Sequence, residues 1–413
     1  MTLFFLRRVA APLSFYLMVL LSTAQDEGFI YGTILTEDGD KYTGPIRWGK
    51  EEVYWTDLFN ASKEENENLD LLSDEELASL KKRDGDSYEF STSFFKISWN
   101  GGDDDFTHQF VTQFGNIRTI ETRSGNDVKL ILKDGTKLRL NGSGYNDIGS
   151  DIKIIDSELG QITLDWDNIE QIDFASTPSR LEEKFGDPLY GSVECDFGTF
   201  KGFVQWDHDE RVGSDVLDGE EGDDDYEIKF GKIKSIRRRG YNRSEITLKS
   251  GRSITLEGSN DVNDDNKGII VEVKGLGRVD IEWDEFEQVV FEEVKGSGPA
   301  YDDFNGPKLI EGKIKTRGDQ TFAGQLIYDL DEAYTFELLN GINSDIKFFI
   351  PFRNINSIEP ESSESSIIRL NSGKELELED EQDVTRRNEG VIVKNGSNIS
   401  YIPWKDIERI ELN

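Results

Sequence analysis

Two sentence-like patterns each recur three times along this chain, and that repetition constrains its fold more than any other feature. The first runs Gly-apolar-x-apolar, a turn, then aromatic-x-Gly-x-apolar-x-aromatic: GTILTEDGDKYTGPIRW from Gly32, GSVECDFGTFKGFVQW from Gly191 and GKIKTRGDQTFAGQLIY from Gly312. The second is a hairpin that closes on a tryptophan: VKLILKDGTKLRL leading to LDWDNIEQIDF, SEITLKSGRSITL to IEWDEFEQVVF, and SIIRLNSGKELEL to IPWKDIERIEL. Each copy is one supersecondary unit with an apolar face to bury, so neighbouring copies must pack together. Such a repeat specifies architecture and leaves activity open.

Calling the patterns A and B, the order is A-B-A-B-A-B. The A segments occupy about 29–121, 189–239 and 309–359, and the B segments about 127–174, 244–291 and 366–412. In the B hairpins Val128, Leu130 and Leu132 share one face, as do Ile246 with Leu248 and Leu376 with Leu378; this alternation is the period of a half-buried strand. Gly135, Gly251 and Gly373 supply the left-handed residue that a tight hairpin loop demands. Three domains follow: pair 1 over 25–174, pair 2 over 189–291 and pair 3 over 309–413. The links between them carry Thr177-Pro178, Asp187-Pro188 and Gly296-Ser297-Gly298-Pro299, which mark boundaries.

A and B segments end alike. FGNIRTI at Phe114, FGKIKSI at Phe230, PFRNINSI at Pro351, WDNIEQI at Trp166, WDEFEQV at Trp283 and PWKDIERI at Pro403 each follow a strand. One helical turn followed by a strand would send both apolar residues of each closure inward. This pattern resembles the small five-stranded barrels of the SH3-like and Sm-like kind, with residues 310–358 carrying it best. The resemblance implies an all-β tandem array of six small barrels in three A-B pairs. The alternative is three β-sandwich domains, each pair forming one continuous set of about ten strands. RNA binding does not carry over, because no matching basic motif is present.

The first A segment breaks the repeat with an insertion over 61–105. Within it Ser73-Asp74-Glu75-Glu76 is a capping box ahead of Leu77 and Leu80, with Lys81, Lys82 and Arg83 following, so a helix of two to three turns is expected.

Residues 1–24 read as a signal peptide: Arg7 and Arg8, an apolar run of 13 residues from Val9 to Leu21, then Ser22-Thr23-Ala24. The run falls short of the roughly 20 residues a spanning helix needs. Export is expected, to the periplasm, the cell surface or the medium, with no membrane insertion after cleavage. Removing the two leader arginines leaves 45 basic against 83 acidic side chains and takes the net charge from −36 to −38. An acidic body of this kind repels phosphate backbones, which argues against nucleic-acid binding. Cys195 is the only cysteine, so the chain has no internal disulfide, and this favours a bacterial envelope or secreted setting over a eukaryotic extracellular one.

For chemistry the chain offers few distinctive groups. His108 and His208 occupy different repeat positions, and neither has partners at a recognisable triad or zinc spacing. Cys195 lies on an expected strand as a small buried thiol. Glu220, Glu221, Asp223, Asp224 and Asp225 form the acidic run best suited to calcium, since a hard cation takes several oxygens from flexible turns. No other cofactor is expected. Trp48 and Trp206 share one repeat position and Trp166, Trp283 and Trp404 another, which makes them packing residues; Trp55 and Trp99 flank the inserted helix and are the candidates for ligand contact. Asp147, Asp261 and Asp383 recur after the B hairpin, where an Asp commonly bonds nearby amides in an Asx-type turn. The sequence reads as a non-enzymatic exported binding or scaffold protein whose repeats face an envelope or extracellular protein or glycan. A calcium-responsive surface protein and a hydrolase using two carboxylates of the insertion are the alternatives.

Overall fold

The computed structural model describes residues 26–63, 66–83, 90–91, 96–97, 109–123 and 125–413. The leader, Trp99 and His108 lie outside the described residues, as does the run Asp103 to Asp105. The chain is all-β, with two large antiparallel sheets of 10 and 20 strands.

The hairpins and closures form where the repeat places them. Gly135, Gly251 and Gly373 take φ of 94°, 89° and 85° in their loops. Five of the six closures contain a one-turn 3-10 helix, starting at Phe114, Trp166, Phe230, Phe352 and Trp404. The sixth makes a turn in which the Phe286 amide donates to the Glu282 carbonyl at 3.1 Å. In every closure both apolar residues are buried, from Ile117 and Ile120 in the first to Ile407 and Ile410 in the last.

The six-barrel expectation does not hold at the next level: no closed barrel forms among the described residues. In pair 1 the strand order is Gly160–Leu164, Ile152–Asp156, Lys41–Trp48, Tyr31–Thr36, Ile169–Phe174, Ile117–Thr122, Asp127–Leu132, Lys137–Asn141, Leu58–Lys63, Gln109–Gln113. The last B strand, Ile169–Phe174, inserts between two A strands, so A and B interleave in one ten-stranded sheet. Pairs 2 and 3 repeat this order strand for strand. Of the alternative, three β-sandwich domains, only the count of about ten strands per pair is met, since pairs 2 and 3 share one sheet; we call the three pairs units 1, 2 and 3.

The two glycines of the A pattern are explained by this interleaving. Gly32 pairs with Gly44, Gly191 with Gly202 and Gly312 with Gly324. A Cβ at Gly44 would come within 1.9 Å of the Ile155 carbonyl oxygen, and one at Gly202 within 1.9 Å of that of Glu272. At this point one long strand leaves its hairpin partner to join the B strands, and only a bare backbone lets the sheet bend so closely.

Each sheet curls over an aromatic centre. Trp48 meets Phe59 at 5.8 Å between ring centroids, although their strands lie far apart in the sheet order, and it meets Trp166 of the closing 3-10 turn at 5.7 Å. Trp206 meets Trp283 at 6.1 Å, and Tyr328 meets Trp404 at 5.9 Å. The repeated tryptophans are thus core residues, as the repeat implied.

The units are joined in three different ways. Units 2 and 3 share a strand pairing, Gly277–Ile281 with Ile346–Pro351, which fuses them into the larger sheet. Units 1 and 2 exchange two ion pairs, the half-buried pair Arg47 with Asp215 and the buried pair Arg211 with Asp57, each at 2.7 Å. Unit 1 reaches unit 3 through its insertion. The capping box forms, with the Ser73 amide donating to Glu76 Oε2 at 2.8 Å, and the helix Asp74–Arg83 follows. Its Leu77 and Leu80, with Leu72, pack on Ile327, Leu330 and Ile392 of unit 3.

Candidate functional site

In all three units the strand carrying the core aromatic ends in a short turn that returns at a glutamate. Trp48 bridges to Glu52, Trp206 to Glu210 and Tyr328 to Glu332. The turn needs left-handed backbone: Gly49 supplies it in unit 1 at φ 56°, Asp207 and His208 in unit 2 at 49° and 59°, and Asp329 and Leu330 in unit 3 at 47° and 60°. Asp and His enter this region more readily than most residues, whereas Leu330 adopts it at some cost. The turn directs each glutamate inward. Oε2 of Glu52, Glu210 and Glu332 is buried without a hydrogen-bond partner.

Opposite each glutamate stands the aspartate that follows the B hairpin. Its carboxylate accepts the amide of a distant strand: Asp147 from Asn60 at 2.5 Å, Asp261 from Asp218 at 2.7 Å and Asp383 from Asn340 at 2.6 Å. Its carbonyl accepts from the core aromatic: Trp48 Nε1 at 2.7 Å, Trp206 Nε1 at 3.0 Å and the Tyr328 hydroxyl at 2.5 Å. The expected local Asx turn is therefore replaced by a long-range clamp. One aspartate ties the B loop to the A strand and to the core ring together.

Pairing two carboxyls away from water raises their proton affinity, because neither gains enough solvation or countercharge to ionise freely. Burial, reinforced by Asp261, pushes Glu210 up to about 9, and burial pushes Asp261 up to about 6. Asp147 and Asp383 are each pushed to about 7 by burial, and Glu52 and Glu332 stand well above the usual carboxylate range for the same cause.

Unit 2 adds a third carboxylate. Asp207, Glu210 and Asp261 offer oxygens that all lie within 4.8 Å of one another. Asp207 accepts the Lys267 amide at 2.5 Å, and burial raises its proton affinity too. Unit 1 has Gly49 at the Asp207 position. Unit 3 has Asp329, which accepts the Glu389 amide and the Gln382 side-chain amide. An all-oxygen set of this kind suits a hard divalent cation, and without one it holds protons.

The residues singled out from sequence fall elsewhere. Glu220, Glu221, Asp223, Asp224 and Asp225 lie on one exposed hairpin, with Glu220 opposite Asp225 and Glu221 opposite Asp224. Successive side chains on it alternate faces. Trp55 is fully buried: its indole N–H donates to Thr177 Oγ1 at 3.1 Å, and its ring packs on Tyr301 at 4.5 Å. That position makes it a packing residue between unit 1 and the two linkers, not a platform for ligand. Cys195 is buried on strand Tyr190–Cys195, and His208 Nε2 lies 3.0 Å from Asp280 Oδ1. Sequence reasoning passed over Glu52, Glu210 and Glu332. Their signal was their identical offset from the core aromatic, in WGKEE, WDHDE and YDLDE.

No family model matches the sequence, and comparison with curated proteins and with solved structures finds no match to it.

Proposed function

We propose that the protein is a non-enzymatic binding or scaffold protein, exported by the leader 1–24, that presents the outer surfaces of its three units to an envelope or extracellular protein or glycan. The observation that supports this most is the use of its repeated polar residues. Asp147, Asp261 and Asp383 each bind a backbone amide of their own unit, so the groups that recur are engaged in building the repeat. The ion pairs and shared strands between units would hold the presented surfaces in fixed relative positions. The common closures further suggest that A and B segments are divergent copies of one smaller motif.

Affinity capture with the mature chain tests the proposal. The expected result is saturable retention of a defined envelope protein or glycan. Turnover of a glycan or peptide by the purified chain would overturn it.

A second reading, a cation-responsive surface protein, is favoured by the convergence of Asp207, Glu210 and Asp261. Its expected calcium site moves from the hairpin acids to this turn.

A further inference from the structure

The contact between units 2 and 3 is a pairing of two sheet edges. Arg278 stands opposite Phe349, Val279 opposite Phe348, Asp280 opposite Lys347 and Ile281 opposite Ile346. All six residues of Ile346–Pro351 are buried, with Phe349 also packed against Leu58 of unit 1. It also covers Leu276, just before the strand, which is 5% exposed and whose carbonyl accepts Asn354 Nδ2 at 3.2 Å. Nearby, the Lys374 ammonium lies 5.6 Å from the ring centre of Phe200.

Unit 1 has the same edge, and among the described residues no strand lies on it. Leu159-Gly160-Gln161-Ile162-Thr163-Leu164 corresponds residue for residue to Leu276-Gly277-Arg278-Val279-Asp280-Ile281, because the two strands pair with their inner neighbours in one register. Leu159 is 67% exposed where Leu276 is 5% exposed. A Cβ on Gly277 would strike the Phe349 carbonyl at 2.3 Å, whereas nothing lies within 4 Å of the same point on Gly160. Gly160 has φ of 73°, so its turn alone accounts for the glycine. Leu159 has no such local reason to be apolar.

The matching strand is present in the same chain. Asp224–Lys229 is unit 2's counterpart of Ile346–Pro351, and among the described residues it pairs only with Val216–Glu221. Laid on the unit 1 edge in the register of the occupied junction, it sets Tyr226 opposite Ile162, as Phe348 stands opposite Val279. Lys232, the counterpart of Asn354, then reaches the Leu159 carbonyl beside Glu158. Arg252, the counterpart of Lys374, comes over Tyr42, the counterpart of Phe200. Lys232, Glu158 and Arg252 are all exposed. Within one chain these two edges do not pair, because units 1 and 2 are fastened instead through Arg47–Asp215 and Arg211–Asp57.

We propose that a second copy of this chain supplies the missing strand, with Asp224–Lys229 of one copy pairing with Gly160–Leu164 of the next. The two surfaces differ, so the contact is heterologous and runs head to tail, into a ring or an open filament. The acidic residues Asp224, Asp225 and Glu227 protect the donor edge from indiscriminate strand addition, while Lys232 and Arg252 direct it to this acceptor.

Sedimentation velocity on the mature chain over a wide concentration range tests the association, and Leu159→Glu tests the surface. Wild type should associate as concentration rises, and the variant should need roughly tenfold more protein for the same association. Mixing chains bearing Ile162→Cys with chains bearing Tyr226→Cys under oxidising conditions should give a disulfide-linked dimer that neither gives alone. Circular dichroism checks that each variant folds, and the cysteine pair keeps the test intact if Leu159→Glu does not. A monomer at every concentration would overturn the proposal. So would association without the 162–226 product, or association that a folded Leu159→Glu leaves unchanged.

Discussion

Arg211 of unit 2 donates to Asp57 of unit 1 at 2.7 Å, with the two side chains 0% and 2% exposed. The guanidinium also donates to the Val204 carbonyl at 3.1 Å and lies 5.0 Å over the Tyr54 ring, while the other oxygen of Asp57 accepts the amides of Val53 and Tyr54. Removing one partner of such a pair strands the other charge away from water. Arg211→Ala should cost about 3 to 5 kcal/mol in urea unfolding, well above the ordinary cost of a surface ion pair. Arg211→Lys should restore only part of it, because a point charge cannot span both acceptors. A loss under about 1 kcal/mol would mean that the units do not depend on this pair.

The Glu210 carboxyl should make the protein's stability respond to pH. With its folded value at about 9, raised by burial, the folded state holds a proton that the unfolded chain releases near pH 4. Its contribution is therefore complete in acid and declines as pH rises toward 9. Glu210→Gln keeps the shape and cannot ionise. Wild type and variant should match near pH 4 and diverge by roughly 1 to 3 kcal/mol in the variant's favour near pH 9, as read by chemical unfolding at both values. A gap that stays constant across that range would refute the raised proton affinity of Glu210.

Calcium should replace those protons if the unit 2 cluster takes a cation. Saturating ion at about a hundred times its dissociation constant would add about 2.7 kcal/mol, a rise of several degrees in melting temperature. Asp207→Asn should abolish the rise, while Asp224→Asn on the exposed hairpin should leave it unchanged. Equal rises with sodium chloride at matched ionic strength would reduce the effect to screening.

The inserted helix should come off unit 3 without unfolding it. Leu80 is 4% exposed, in a small apolar cluster separate from the unit cores. Leu80→Asp places a charge in that cluster, so proteolysis within residues 66–83 should accelerate about tenfold or more while the thermal transition of the sheets holds. Simultaneous loss of both would make the helix part of the cooperative core.

Much of this fold could be read locally. Each hairpin shows itself in the alternation of Val128, Leu130 and Leu132 and in a glycine loop, and the capping box at Ser73 announces its helix, because these signals lie within a few residues. What escaped is non-local. Nothing near Ile169 reveals that its strand will lie beside Tyr31–Thr36, and that pairing is what turns six prospective barrels into three interleaved ten-strand units. The site was hidden for a different reason. In a chain with 83 acidic residues, Glu210 reads as one more solvated carboxylate, and only its equivalence to Glu52 and Glu332 separates it from the rest. The long-range amide acceptors of Asp147, Asp261 and Asp383 were equally unreadable, since the repeat marks the aspartates but not the strands they reach.

The docking of helix Asp74–Arg83 on Ile327, Leu330 and Ile392 has a consequence for synthesis. The helix is made early, yet the surface that covers its leucines is encoded about 250 to 320 residues later. At about 5 to 20 residues per second the apolar stripe waits tens of seconds for its partner. The acidic first turn, Asp74-Glu75-Glu76, lies beside that stripe, so the segment carries its own charge through the interval before its partner exists.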